Sequence, residues 1–195
     1  MSIREKIETI ALKILSRPGM ASQFREHIIN EAGIGPATKV IDIATAVGGM
    51  AFVAKEKTDH VMAIDISEER IKIAKSDPRS AGINFMVMDA TNTNFPDKEF
   101  DIALIVLGLH EMTVAGARKA LKEAKRISKR LVVVEFGLDR WPLFWRLLRY
   151  PLSIFEPKGF LQFTRQNVEK MIDESGWTIT KRTTNFPFMI YVCSS

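Results

Sequence analysis

The sequence predicts an α/β fold: a doubly wound, mostly parallel seven-stranded sheet with helices on both faces and an antiparallel C-terminal strand. Three observations predict it. Short, continuously apolar runs alternate with amphipathic segments, the pattern of strands covered on both faces by crossover helices. The first such run ends in a turn of small residues, from Asp42 to Gly49. The last two runs are separated only by a short turn containing Pro187, so they pair as an antiparallel hairpin.

The elements follow in order. Residues 2–5 have the capping-box form, with the hydroxyl of Ser2 at the N-cap and the carboxylate of Glu5 three residues on. Ile3, Ile7, Ile10, Ala11 and Ile14 then form one apolar stripe, which Pro18 and Gly19 end. A second helix is expected over 22–32, stopped by Gly33, Gly35 and Pro36. Residues 1–35 thus make an N-terminal helical unit on the lid or substrate side, and 36–195 make the main domain. Strands are predicted at 39–43, 60–64, 83–87, 101–107 and 131–135, and helices at 50–57, 68–76 and 114–128. A helix over 165–175, capped by Thr164 and stopped by Gly176, precedes the hairpin strands 177–183 and 188–193.

Composition narrows the class. A chain of 195 residues can bury one substantial core but not two ordinary ones. Cys193 is the single cysteine, so no disulfide can form within the chain, and a cytoplasmic home is expected. The N-terminus has no apolar segment of the signal-peptide kind, and no run is long enough to span a bilayer. The net charge of +5 has a local source: Arg118, Lys119, Lys122, Lys125, Arg126, Lys129 and Arg130. Ala117, Ala120, Leu121, Ala124 and Ile127 interleave with them at helical spacing, so the first reading is an amphipathic helix with a solvated outer face. A polyanion site is the second.

In a doubly wound sheet, ligands bind at the carboxyl ends of the strands where the strand order reverses. The turn at 42–49 is therefore the place to look. Small side chains there let a ligand approach the backbone. With Ala44 and Ala46 in it, the turn is not a full Gly-x-Gly-x-x-Gly, and it lacks the Lys-Ser/Thr of a P-loop. Asp42, Asp65 and Asp89 end the first three predicted strands. Each alone reads as a helix cap or turn residue. In register, they deliver three carboxylates to one edge, and an acid ending the second strand can accept both hydroxyls of a ribose. After the fourth strand come Gly108, Leu109, His110, Glu111 and Met112. His110 and Glu111 are the catalytic candidates, for substrate contact or proton transfer. The alternative is that His110 hydrogen-bonds its loop and Glu111 caps the next helix. Glu135, ending the fifth strand, is a weaker third candidate. His27 reads as a surface histidine unless its helix forms a lid.

On these residues the chain resembles the class I, Rossmann-like S-adenosylmethionine-dependent methyltransferases, over roughly 34–195. Its motifs are most similar to those of the ubiquinone/menaquinone C-methyltransferase-like small-molecule group. The first motif of that family is an acid followed by a small-residue turn. Residues 40–49 match it with Ala44 and Ala46 as departures, and Ala44-Thr45 is similar to the Ala-Thr of the quinone enzymes. The resemblance implies S-adenosyl-L-methionine as cofactor and no metal. It implies that Asp42 and the backbone of Ala44, Thr45, Ala46 and Gly48 face the methionine part. Asp65 would bind the ribose hydroxyls, Ile66 would pack on the adenine, and Asp89 and Ala90 would meet the adenine edge. Leu107 and Gly108 would flank the sulfonium. The final antiparallel strand also fits this family and argues against a nicotinamide dehydrogenase. The segment after strand four is not the Asn/Asp-Pro-Pro-aromatic motif of amino-methylating nucleic-acid enzymes, and a lone cysteine excludes the paired-cysteine chemistry of pyrimidine C5 enzymes.

Residues 136–163 form an insertion holding eight of the seventeen aromatic residues: Phe136, Trp141, Phe144, Trp145, Tyr150, Phe155, Phe160 and Phe163. Arg140, Arg146 and Arg149 are interspersed. Apolar walls with a few polar groups suit a pocket or lid for an apolar or lipidic acceptor. Residues 141–155 also suit peripheral membrane contact, with aromatics buried and arginines at headgroups. Packing on the sheet, or at a homodimer interface, is the plain alternative. The functional expectation is methyl transfer to a small acceptor, apolar or lipid/quinone-like. Its rivals are an RNA methyltransferase using the basic helix 118–130 and a non-catalytic binding protein that kept the cofactor fold.

Overall fold

The computed structural model describes residues 22–137, Phe163, 166–185 and 187–195. The stripe over 2–17 and the membrane, lid and packing readings of 138–162 fall outside the described residues. The elements are α1 (Ser22–Ala32), β1 (Val40–Ile43), α2 (Gly49–Lys55), β2 (Val61–Asp65), α3 (Glu68–Ser76), β3 (Asn84–Val87), β4 (Phe100–Val106), α4 (Val114–Ile127), β5 (Ser128–Phe136), α5 (Val168–Glu174), β6 (Thr178–Asn185) and β7 (Phe188–Ser194). The strands form one seven-stranded sheet in the order β3-β2-β1-β4-β5-β7-β6. The first five are parallel, and β7 runs antiparallel to both β5 and β6. The strand order reverses between β1 and β4, so the ligand-binding crevice lies beyond Ile43 and Val106.

The period of two along each strand sends alternate side chains to two cores. Ile41, Ala103, Ile105, Leu131 and Val133 face α4 and α5, meeting Leu121, Ile127, Met171 and Ile172. Val40, Ile102, Leu104, Val132 and Val134 face α1, α2 and α3, meeting Ile28, Met50, Phe52 and Ile71. Among the described residues, no helix is long and apolar enough to cross a membrane.

The basic segment is an amphipathic helix. Ala117, Ala120, Leu121, Ala124 and Ile127 are fully buried along α4. Three of its cations are tied to the protein's own acceptors: Arg118 to Glu174, Arg126 to Glu123 and Asp97, and Lys125 to the Gly176 carbonyl. Just beyond it, Lys129 pairs with Asp101, and Arg130 donates to the Ala32 carbonyl at 2.8 Å.

Two boundaries and one burial pattern depart from expectation for a clear local reason. β5 begins at Ser128 rather than 131, because the side chains of Lys129 and Arg130 find partners and leave the backbone free to pair with β4. α5 begins at Val168, capped by Asn167, whose side chain accepts from the Lys170 N–H at 2.9 Å; Thr164 is not its cap. β3 is not covered on both faces. It is the sheet edge, so Asn84, Met86 and Val87 are exposed and Phe85 alone is buried.

Leu121 is buried between α4 and the sheet. Leu121→Ala is expected to lower the unfolding free energy in urea titrations by about 2–5 kcal/mol. A loss below about 1 kcal/mol would contradict this packing.

Candidate functional site

The turn after β1 is shaped by two carboxylates. Asp42 is buried, and its Oδ2 accepts the Thr45 hydroxyl at 2.5 Å and the Ala51 N–H at 3.1 Å. From the neighbouring strand, Asp65 accepts the Ala46 N–H at 2.8 Å through Oδ2 and the Ser67 N–H at 2.9 Å through Oδ1. Thr45 N–H reaches the Ile64 carbonyl at 2.9 Å. The turn is thus stitched to both β1 and β2.

Its backbone alternates in hand. Ala44, Ala46 and Gly48 have φ of 58°, 51° and 89°. The two alanines therefore occupy left-handed conformations that glycine adopts freely, each at a cost of roughly 1 kcal/mol. Leu107, at the end of β4, has φ of 54°. Non-glycine residues held in that region concentrate at ligand sites, where surrounding bonds over-determine them. Gly48 is also required by packing, since a Cβ there would lie 2.7 Å from the Phe52 ring.

Two cavities open at this edge. The larger, about 720 Å³, is lined by Ala44, Asp65, Ile66, Ser67, Arg70, Met88, Asp89, Ala90, Gly108 and Glu111, among others. Ile66 is 72% exposed at its rim, an apolar side chain without protein cover. The smaller, about 270 Å³, is lined by Phe24, Arg25, Ile28, Asp42, Thr45, Ala46, Val47, Val106, Leu107 and Phe188, among others. Ala44 and Glu111 line both, so the two spaces meet there. Phe24 and Phe188 stack at 5.2 Å and 27° beside the smaller one.

Burial pushes the Asp42 carboxyl up to about 7, against the opposing pull of Thr45, the Ala51 amide and the Arg25 charge. Burial likewise lowers the Arg25 guanidinium, with the nearby Arg79 charge adding to it and Asp42 opposing. The smaller cavity thus holds one cationic and one acidic group within electrostatic reach of each other.

The candidate residues separate into groups. Asp65, Ile66, Asp89 and Ala90 line the larger cavity, as do Gly108 and Glu111. Asp42, Thr45, Ala46 and Leu107 line the smaller. Gly48 lines neither, and serves the turn and the packing of Phe52. His110 lines neither: it is buried, with Nδ1 2.9 Å from Glu135 Oε2 and its ring edge-on to Phe136 and Phe163. Glu111 does not cap α4, since Thr113 does, accepting from the Gly116 N–H at 3.0 Å; Glu111 instead pairs with Arg70 at 2.6 Å. Arg25 was not singled out from sequence. It falls at i with Ile28, Ile29 and Ala32 at i+3, i+4 and i+7, and a cation in an otherwise buried stripe is the signal that would have found it.

Residues 40–130 match the methyltransferase domain family. Over these residues the chain is similar to a methyltransferase domain. It is 34% identical over 133 residues to a demethylmenaquinone methyltransferase of Paenarthrobacter aurescens strain TC1, covering 67% of this chain and 51% of that protein. It is 30% identical over 135 residues to the ubiquinone/menaquinone biosynthesis C-methyltransferase UbiE of Hydrogenovibrio crunogenus, covering 64% and 52%. The chain spans about half the length of these curated relatives. In fold, this domain superposes on a SAM-dependent methyltransferase from Aquifex aeolicus with a TM-score of 0.69 at 19% identity, covering 95% of this chain and 97% of that one. A TehB-like SAM-dependent methyltransferase from Corynebacterium glutamicum gives a TM-score of 0.69 at 13% identity, covering 97% of both. The fold is that of the class I S-adenosylmethionine-dependent methyltransferases.

Two outcomes follow from the geometry of the turn after β1. Replacing Ala46 by Gly relieves a left-handed alanine, so Ala46→Gly should stabilise the fold by about 1 kcal/mol in denaturant titrations; a destabilisation would contradict the φ of 51°. Asp42 holds its proton to about pH 7 when folded, against an ordinary value of 3.8. Between those pH values the unfolded chain binds fewer protons than the native one, so the Asp42 contribution to stability falls as pH rises. Wild type should therefore lose stability relative to Asp42→Asn between pH 4 and pH 7, and parallel pH profiles would refute the shift.

Proposed function

We propose that this chain transfers a methyl group from S-adenosylmethionine to a small acceptor, apolar and quinone- or lipid-like. The observation that carries this reading is the meeting, at Ala44 and Glu111, of a cavity rimmed by carboxylates with one that joins Arg25 and Asp42 to an aromatic wall. The first suits a nucleoside, and the second suits an amino-acid end beside an apolar partner.

The residues present fit the cofactor. Asp65, buried with one backbone donor on each oxygen, keeps lone pairs for ribose hydroxyls. Ile66 offers its exposed apolar side chain to a base, and Asp89 and Ala90 bound the same cavity. Arg25 and Asp42 match the carboxylate and ammonium of an amino-acid end, beside the backbone of 44–47. When bound, S-adenosylmethionine supplies an electrophilic methyl group on a sulfonium, open to in-line displacement. The protein's part is alignment and exclusion of water. Phe24, Val106, Leu107 and Phe188 supply a dry wall for a planar acceptor. Glu111 stands where the two cavities meet and can take a proton from an acceptor hydroxyl, with Arg70 holding its carboxylate. That placement favours Glu111 over His110 as the group meeting the acceptor. The curated relatives are named for quinone methylation, which supports the same acceptor class. An RNA acceptor draws little support from α4, whose cations Arg118 and Arg126 are paired with protein carboxylates.

Titration calorimetry with S-adenosylmethionine should give saturable binding, and Asp65→Ala should weaken it at least about tenfold, the value of one charge-assisted hydrogen bond. No heat at millimolar cofactor would eliminate the enzymatic reading. With methyl-labelled cofactor, label should enter a short-chain demethylnaphthoquinol. Label found in bulk tRNA instead would overturn the acceptor class.

A further inference from the structure

Glu135 is the penultimate residue of β5, and its side chain is fully buried. Its Oε1 accepts the Leu109 N–H at 2.9 Å and the His110 N–H at 3.3 Å, while Oε2 lies 2.9 Å from His110 Nδ1. A buried carboxylate is costly unless its lone pairs are used. Apart from the adjacent Phe136 N–H, which reaches Oε2 at 3.4 Å, they are used on one short segment, the 3₁₀ turn Leu109–Glu111 between β4 and α4. The preceding Leu107 is left-handed and donates to the Val134 carbonyl at 2.8 Å, so β5 grips the segment at two points.

That segment is the wall shared by both cavities. Leu107 lines the smaller, Gly108 the larger, and Glu111 both. Gly108 leaves no room for a side chain, because a Cβ there would lie 2.9 Å from the Ala44 Cβ. By contrast, Asp65, Ile66, Asp89 and Ala90 lie at and just beyond the ends of β2 and β3, with β1 and β4 standing between them and β5. We infer that Glu135 is a positioning residue, whose carboxylate holds the 107–111 segment and thereby sets where Glu111 stands between the two ligands. It touches neither cavity and acts only through the segment. The inference rests on the methyltransferase reading proposed above.

The test uses Glu135→Gln, which keeps the shape of the side chain and loses its charge. Amide exchange at Leu109 and His110 should quicken about tenfold or more, because the bonds to an ionised acceptor are weakened. Methyl transfer to the naphthoquinol should slow by a similar factor of about ten, while the S-adenosylmethionine Kd stays within about threefold. A purely structural role would lower the melting temperature and weaken binding and rate together, and that result would overturn the inference. Unchanged exchange would overturn it too, as would quickened exchange with an unchanged rate. Should the Gln variant fail to fold, Glu135→Asp, which keeps the charge but shortens the reach, should give the same split in smaller measure, and the same outcomes decide. A wild-type protein that binds no cofactor would sink the proposed function instead, and the exchange comparison would still decide whether Glu135 holds the segment.

Discussion

Everything at the ligand edge depends on how the backbone amides released by the strand ends are satisfied. A parallel sheet must turn sharply after each strand, and the first amides of each turn have no ladder partner. This protein answers with buried or half-buried carboxylates placed on the strands themselves. Asp42 takes the amide of Ala51 in the first turn of α2, Asp65 takes amides from two different turns, and Glu135 takes two from the turn after β4. The acids were read from sequence as ligand groups. In the structure they are the pins of the loops they serve, which sets their positions to within a hydrogen bond.

The same arrangement explains how alanines stand where glycines are usual. An alanine forced to positive φ gives up roughly 1 kcal/mol. At Ala46 that cost is offset by the 2.8 Å bond from its N–H to Asp65, and around Ala44 by the neighbouring bonds of Thr45 to Asp42 and Ile64. The turn therefore keeps the hand of a glycine turn with less freedom in the unfolded chain. The small methyl groups remain compatible with a close backbone approach, although Ala44 fixes Gly108 as the only residue type that fits opposite it.

The sheet was legible because its signals are local. Strand runs, the turn at 42–49 and the α4 stripe all depend on side chains near in sequence, and each expected element among the described residues appears within a few residues of its range. What was not legible depends on pairing across the fold. Nothing near Glu135 in sequence indicates that it binds residues 109 and 110, and nothing near Arg25 places it beside Asp42. The start of β5 was missed because Lys129 and Arg130 look like helix surface until Asp101 and the Ala32 carbonyl are brought to them. The exposure of β3 follows from its place at the edge, which strand order alone decides.

The two edges of the sheet are guarded unequally. β6 presents Lys181 and Arg182 to solvent, charges that discourage a second strand from pairing with it. β3 presents Asn84, Met86 and Val87 within the uncharged run 83–88, which also lacks proline. Short, apolar, uncharged segments on an open edge are the stretches that seed self-association. Its four residues keep the edge short, and the adjoining cavity rim at Ile66 adds more bare apolar surface to the same corner. A nucleoside lying over Ile66 would cover that corner, so the ligand that equips this edge for chemistry would also make the protein less prone to aggregate.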